Sequence, residues 1–513
     1  MTESVLLGID AGTSAVKVCA ISTDGRVLAK AQRPVPVVTA LPLWAEIDLE
    51  RYWSLVCEAM REVTARVGPV AGVGLSTTCP TTIVLDADDR PLRGGIVYLD
   101  GRADALLRET IGPDAVEYRE RTGNRASSST CWAANLTWLQ RHEPELWKSV
   151  RRVVTLNGFL TLRLTGKTGI EPTQASYSGL MDVRSRDAKW SPDLFKLWNV
   201  DRGLLPDIVP GHLAIGGVTT SAAQATGLAV DTPIALGAAD TAAAAFAVGL
   251  KRAGDAFESV GTSGVITFCL DEPSFDVSFL NRHHVLPGRW LAHGAMSTLG
   301  GAFGWLQGKV WPDVRSFAEF EHLAMASVPG ANGLVFLPYL AGERTPIWDA
   351  EASGAWIGLR LHHTRSDMVR AVFEGGALAL RQILEIAHNQ WSWRPTDLVG
   401  VGGGARSRFW AQIKADVLGL SYHMATLTDA SAIGAALIGG VAAKVYGGME
   451  DPGIPGIRCD ENKVRPGPAD RRAVYDRRFE VYRALYPVLR DAMHRLDGAP
   501  VANPGIDLPT SSD

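Results

Sequence analysis

Gly8-Ile9-Asp10-Ala11-Gly12-Thr13-Ser14-Ala15-Val16-Lys17 gathers a carboxylate, two hydroxyls, two glycines and an ammonium group in one short stretch. Glycine lets a turn approach a bulky anion, and Thr13 and Ser14 offer hydroxyl and N–H donors. Lys17 adds positive charge, and Asp10 can hold a cation through water. Together these groups suit a metal-bound polyphosphate. The pattern returns at Phe257-Glu-Ser-Val260, which runs into Gly261-Thr262-Ser263-Gly264. Two hydroxyl-bearing turns from two parts of a chain can grip one triphosphate from opposite sides. A third element, Gly237-Ala238-Ala239-Asp240-Thr241-Ala242, puts a carboxylate at the end of an apolar run and the mouth of an Ala-rich helix. Strand ends of this kind face the crevice of an α/β sheet. Asp240 could serve only as a helix N-cap there. As a general base it would take the proton of an attacking hydroxyl while Mg²⁺ and fixed donors stabilise a transferred phosphoryl group. The fourth element, Gly402-Gly403-Gly404-Ala405-Arg406-Ser407, would let a flat purine or its ribose lie against backbone.

The elements that must position these groups read as mixed strands and helices. Val5–Ile9 and Val16–Ile21 are short apolar runs, and Thr23-Asp24-Gly25 turns the second into the extended stretch Arg26–Val38. Asp48 caps a helix expected over Leu49–Val67, with Tyr52, Leu55, Val56, Ala59 and Val63 on one face. Strands follow at Ala71–Leu75 and Thr82–Leu85. In the second half, helices are expected from Ser366, as its cap, to about Leu384, over Ser407–Leu418, over Ser431–Val445 and over Ala469–Leu496, with a strand at Leu398–Val401. Ile234–Asp240 is echoed by Leu398–Gly404, each an apolar strand running into small residues and a helix. One α/β unit duplicated around a central cleft accounts for both echoes. The joint falls at Gly249-Leu250-Lys251-Arg252-Ala253-Gly254, giving residues 1–250 and 251–496 as two domains, with 497–513 a tail expected to be disordered.

Composition removes several classes of function. A chain of 513 residues exceeds what one core ordinarily covers, so two domains are expected. Net charge is −4 and no Lys/Arg block occurs, so the electrostatic footprint of a nucleic-acid binder is missing. Glu3 stands where a signal peptide has its basic region, and the longest apolar runs fall short of the ~20 residues a bilayer span requires. Cys19, Cys57, Cys79, Cys131, Cys269 and Cys459 show no CxxC spacing, which argues against a zinc site or a disulfide framework and for reduced thiols in cytoplasm. The pairs His283-His284 and His362-His363 lack a carboxylate or cysteine at metal spacing and read as core or surface residues.

Taken together, these motifs resemble the FGGY carbohydrate kinase family, part of the actin and hexokinase superfold, over nearly the whole chain to about residue 490. Gly354-Ala-Trp356-Ile-Gly358-Leu359 with Asp367-Met-Val-Arg-Ala371-Val-Phe373-Glu374 is similar to the family's second signature, and Asp429-Ala-Ser-Ala432-Ile-Gly434-Ala435-Ala436 to its adenine-side helix. Asn135 stands where most members carry Lys in the first signature. The resemblance implies an α/β fold of two duplicated actin-like (ribonuclease H-like) domains with a nucleotide cleft between them. It implies ATP and Mg²⁺, with Asp240 the base, Asp10 and Asp240 toward the metal, and Thr13, Ser14 and Lys17 toward phosphates. Thr262 is implied near the γ-phosphate, Gly301 beside the nucleotide, and Gly404 with Ala405 at the adenosine.

Gly211-His212-Leu213-Ala214-Ile215-Gly216 and Gly294-Ala295-Met296-Ser297-Thr298 most resemble the xylulokinase branch of the family, making D-xylulose the first expected acceptor and D-xylulose 5-phosphate its product. The acceptor loop departs from that branch, because Thr77-Thr78-Cys79-Pro80-Thr81 replaces its Gln-Met-His-Gly. Tyr98-Leu99-Asp100-Gly101-Arg102 resembles the family's Trp-Asn-Asp-x-Arg with two changes, and Thr241 replaces the Asn that usually follows the base. Acceptor contacts are therefore expected from Thr78, Cys79, Pro80, Asp100, Arg102, Asp240 and Thr241, with Trp44-Ala45-Glu46 either at the cleft or in ordinary loop packing. A lost donor changes which hydroxyls a sugar site reads. Ribulose, a pentitol, a tetritol, gluconate or glycerol stay open as acceptors. So do an actin- or chaperone-like ATPase and a sugar-binding regulator without catalysis. The expected partner is a small sugar or polyol, with neither nucleic acid nor membrane, in a homodimer as the prior for soluble enzymes.

Overall fold

The structure is a computed structural model that describes residues 4–112, 115–425, 429–456 and 463–496. Cys459 and the tail expected over 497–513 lie outside these residues. A six-stranded sheet in the first half contains β1 (Val5–Ala11), β2 (Ala15–Ser22), β3 (Val27–Pro34), β4 (Val70–Thr77), β5 (Ala214–Gly217) and β6 (Pro233–Ala239), in the order β5-β6-β4-β1-β2-β3. β1 pairs antiparallel with β2 and parallel with β4, and β6 is parallel to β4. A seven-stranded sheet in the second half contains β7 (Ala256–Val260), β8 (Gly264–Leu270), β9 (Leu280–His283), β10 (Trp290–Met296), β11 (Asp397–Val401), β12 (Ser421–Met424) and β13 (Lys463–Val464), in the order β9-β10-β8-β7-β11-β12-β13. Here β7 pairs antiparallel with β8 and parallel with β11, and β12 is parallel to β11. The two sheets thus share one plan, and each Gly-Thr-Ser turn joins the first two strands of its copy.

Topology corrects the second sequence echo. β11 lies directly beside β7, as β4 lies beside β1, so Leu398–Val401 is the counterpart of Val70–Thr77 and not of Ile234–Asp240. The counterpart of β6 is β12. Both candidate strands were apolar and ended in small residues, and sequence similarity between such runs cannot rank them by position in a sheet.

Burial on both faces explains why β1 reads as a continuous apolar run. Leu7 and Ile9 enter a core with Tyr52, Leu55, Val56 and Met60 of helix α1 (Leu49–Thr64), whereas Leu6 points to the other face. There it meets two Ala-rich helices, α2 (Asp240–Val248) and, much later in the chain, α5 (Ala430–Ala442). Between them lie α3 (Arg365–Trp391) and α4 (Arg408–Leu418), and α6 (Ala469–Leu496) follows. The cap of α3 is Thr364, in a reciprocal box with Asp367, rather than Ser366, because the Thr364 hydroxyl donates to the same Asp367 carboxylate that accepts its backbone N–H.

α5 sits on bare backbone of the first sheet. A Cβ at Gly8 would lie 1.8 Å from the Ala432 carbonyl oxygen, and one at Gly74 1.9 Å from that of Ala435. Gly434 meets α2 in the same way, 1.9 Å from the Ala243 carbonyl. A helix from the second half is therefore clamped to the strands and helix that carry Asp10 and Asp240. The largest core likewise joins residues from both halves, from Val84 and Trp132 to Phe373 and Trp410, so packing does not part at residue 250. Among the described residues no helix is long and apolar enough to cross a membrane.

Candidate active site

The strand ends of both sheets open into one cleft of about 940 Å³, lined on one side by Asp10, Gly12, Thr13, Ser14, Thr78, Cys79, Asp240 and Thr241 and on the other by Ser263, Arg282, His293, Ser297 and Arg344. Asp10 is the penultimate residue of β1, in register with Ser76, whose hydroxyl donates to its Oδ1 at 3.0 Å. Burial first, and then the nearby Asp240 carboxylate, push its pKa up to about 6, while Lys17 and the Ser76 hydrogen bond pull it down. The first turn is closed by Gly12 N–H donating to Ala15 O (3.0 Å) and held from α1 by Tyr52 Oη donating to Gly12 O (2.9 Å). Its Thr13 hydroxyl shares a 3.0 Å hydrogen bond with that of Thr78. The second turn is closed one residue tighter, with Gly261 N–H donating to Ser263 O at 2.9 Å.

Asp240 reaches the cleft through a bulge. The register of β6 against β4 slips between Ala235 and Ala238, and within the slip Gly237 takes φ +77°, where a Cβ would stand 1.6 Å from Leu75 O. Bulges re-aim the residues that follow them, and here the strand turns directly into α2 with Asp240 as its first residue. The turn is pinned by Ala239 N–H donating to Thr173 Oγ1 (2.7 Å), which itself donates to the buried Glu171 (2.8 Å). Asp240 Oδ1 accepts from the N–H (2.6 Å) and hydroxyl (3.1 Å) of Thr241. Oδ2 accepts from none of the described residues.

Across the cleft stand polar atoms that sequence reasoning did not single out. Arg282, on the edge strand β9, is 4% exposed, with its guanidinium 3.8 Å over the Tyr177 ring. Among the described residues, its Nε and Nη1, the Tyr177 hydroxyl and His293 Nε2 have no hydrogen-bond partner. His293 Nδ1 is engaged by the Thr267 hydroxyl at 2.9 Å, and burial pushes its pKa well down, so the ring is neutral. Buried polar groups are ordinarily paired, and a hydroxyl-rich ligand would pair these. The available signal is an arginine inside the buried run Leu280–Val285, next to His283 and His284; those two are core residues, their pKa pushed down to about 4 by burial.

The remaining sequence expectations separate. Lys17 does not line the cleft; it faces a neighbouring hollow with Lys30 and lies 3.6 Å from Asp429. Thr262 and Gly301 touch each other on the second-half rim, with Gly301 N–H donating to Thr262 O at 2.9 Å. Gly404 packs on Val260, where a Cβ would fall 2.4 Å from its Cγ1, and the Ala405 side chain is buried, so both can reach a ligand only through backbone. Pro80, after a cis peptide, is buried behind Cys79. Asp100 and Arg102 do not face the cleft either. Arg102, with a side chain 1% exposed, donates to both oxygens of Asp100 (2.8 and 2.6 Å) and to Glu46 (2.6 Å), and stacks 3.7 Å over Trp44. That pair locks the Trp44–Glu46 loop, and the cleft is lined instead by Tyr98 and Leu99 just before it.

Residues 5–247 match the N-terminal domain, and residues 256–443 the C-terminal domain, of the FGGY family of carbohydrate kinases. The chain belongs to that family, and it is an ATP-dependent sugar phosphotransferase with the two-domain actin-like fold. The xylulose kinase of Escherichia coli (strain K12) is 31% identical over 495 residues, 95% of this chain and 99% of its own length. The crystal structure of xylulose kinase from Rhodospirillum rubrum matches with a TM-score of 0.87 at 31% identity, covering 96% of this chain and all of that one (100%). Gluconate kinase from Lactobacillus acidophilus matches with a TM-score of 0.90 at 24% identity, covering 96% and 100%. The last likeness speaks for the fold alone.

Proposed function

We propose that Asp240 is the general base of this kinase and that the cleft holds the acceptor hydroxyl between Asp240 and the terminal phosphate of ATP. The observation that carries it is the lining of one cleft by Asp240, by the Thr13-Ser14 turn of the first sheet and by Ser263 of the second. Asp240 Oδ2, free of Thr241, takes the hydroxyl proton. The acceptor oxygen forms a bond to the γ-phosphorus as the bond to the β-phosphate bridging oxygen breaks, and ADP leaves. Donors from Thr13, Ser14, Thr262 and Ser263 steady the phosphates, and the backbone at Gly301, Gly404 and Ala405 receives the nucleoside. Lys17 contributes through its field on Asp10.

Asp10 and Asp240 are the residues that would hold Mg²⁺. Two neighbouring carboxylates, one with a pKa raised by burial and then by the other's charge, fit a cation that would keep most of its water. The metal would neutralise charge on the phosphoryl oxygens. In this scheme residues 1–250 carry the base, Asp10 and the first phosphate turn, and 251–496 carry the second phosphate turn and the adenosine side, with Arg282 and His293 completing the acceptor wall. The place of action is the cytoplasm, where reduced thiols and ATP coexist.

D-Xylulose, giving D-xylulose 5-phosphate, is the first acceptor to test, on the names of the Escherichia coli and Rhodospirillum rubrum relatives. Cys79, Pro80 and Thr241 depart from the branch pattern, so the panel extends to ribulose, pentitols, tetritols, glycerol and gluconate. ADP release should rise sharply with at least one acceptor. Steady ATP hydrolysis indifferent to every acceptor would instead favour a chaperone-like ATPase.

A further inference from the structure

Arg282 is an unusual residue to bury. Removing a guanidinium from water is costly unless an anion and a full set of acceptors replace the solvent. None of the described carboxylates forms an ion pair with it, two of its nitrogens are unpartnered among the described residues, and its guanidinium lies on the face of Tyr177. A cation–π contact returns only part of that cost.

The charges around it show what is missing. Arg282 lines the cleft beside Cys79 of the acceptor loop, on the acceptor side of Asp240. Arg344 also lines the cleft, fixed by its own N–H donating to buried Glu343 Oε1 (2.7 Å), which accepts the Ser297 N–H as well (2.6 Å). Cys79 and Tyr177 are neutral there, since burial raises both, and His293 is neutral. Around Arg282 and Arg344 the carboxylates are Asp240 and the buried Glu171 and Glu343, the last two with pKa values pushed up to about 7 by burial, and none of the three pairs with the Arg282 guanidinium. Neutral ketoses and polyols offer that guanidinium no counter-charge.

We infer that the acceptor is a sugar acid, whose carboxylate is received by Arg282 while a hydroxyl elsewhere on the chain is presented to Asp240. The inference rests on the kinase reading of the same cleft and deepens it. Arg–carboxylate pairing is charge-assisted and directional, and the Tyr177 hydroxyl and His293 Nε2 stand beside it for the neighbouring hydroxyls.

The test compares kcat/KM for D-gluconate and D-xylonate with that for D-xylulose and xylitol, in the full-length enzyme and in Arg282→Met and Arg282→Lys. The wild-type enzyme should favour a sugar acid by about tenfold or more, and Arg282→Met should lower its use of that acid by about 100-fold, at least about tenfold more than it lowers the use of any neutral acceptor. Arg282→Lys should restore part of the loss. Thermal stabilisation by the sugar acid alone, without ATP, should disappear in Arg282→Met. Three results would overturn the inference: a wild-type preference for neutral sugars, an equal loss on acid and neutral acceptors, or a rise in KM for ATP in place of the acceptor. In the first two cases Asp240-dependent turnover of a neutral sugar would leave the kinase reading standing. Absence of turnover with every acceptor would remove that reading and the inference together.

Discussion

Replacing Gly8 with alanine tests whether the clamp between α5 and the first sheet sets the catalytic geometry. The new Cβ would stand 1.8 Å from Ala432 O and 2.7 Å from Ala436 N, both backbone atoms that cannot swing aside. Restoring a 3.0 Å contact requires α5 to retreat by about 1.2 Å. The same helix touches β4 at Gly74 and α2 at Gly434, and α2 begins with Asp240, so the displacement is passed to the base. Overpacking of this kind costs about 1–3 kcal/mol, and an unyielding backbone partner places Gly8→Ala at the upper end. A base misplaced by about 1 Å loses on the order of 100-fold in rate. Calorimetric melting and kcat at saturating substrates measure both effects, with Gly68→Ala as control because no atom lies within 4 Å of its Cβ. A Gly8→Ala enzyme that melts within about 1 °C of wild type and keeps its kcat would refute the clamp.

Other expectations follow from individual groups. Because Asp10 has a raised pKa of about 6, a proton competes with Mg²⁺ below that pH, and apparent affinity for Mg-ATP should fall about tenfold per pH unit there and level off above it. The same shift makes the Asp10 charge a burden on the ligand-free fold: the contribution to stability is present below pH ~4 and is lost as pH rises through about 6. Asp10→Asn should therefore raise the melting temperature of the ligand-free protein at pH 8 while abolishing metal-dependent turnover; a lower melting temperature would contradict the assignment. Arg102→Met leaves Asp100 buried and unpaired, so urea unfolding should show a loss of about 3–5 kcal/mol, whereas acceptor KM should move by less than about threefold because the pair lies outside the cleft lining.

The sequence carried the residues whose chemistry comes from a local turn. Both Gly-Thr-Ser hairpins and the Asp240 strand end were legible because glycine, hydroxyl and carboxylate sit next to each other along the chain, and the duplicated α/β plan followed from their repetition. Acceptor recognition was not legible in the same way. Tyr177, Arg282 and His293 come from three separate segments; β9 pairing with β10, itself paired with β8, brings Arg282 and His293 to one wall, and Tyr177 joins it through the Arg282 guanidinium. Asp100 and Arg102 mislead in the opposite sense, since an acid and a base two residues apart serve a binding site or each other equally well by type. Burial decides for the second, and sequence alone does not report it. The α3 cap shifted from Ser366 to Thr364 for a similar reason: two neighbouring hydroxyls compete, and the reciprocal partner Asp367 selects one.

The most direct test of the account is turnover by Asp240→Asn. Asparagine keeps the shape and can still accept from Thr241, but it cannot take a proton, so kcat should fall by about 10²- to 10⁴-fold while ADP binding measured without divalent cation stays unchanged. An Asp240→Asn enzyme that phosphorylates its acceptor at close to the wild-type rate would contradict the placement of the base.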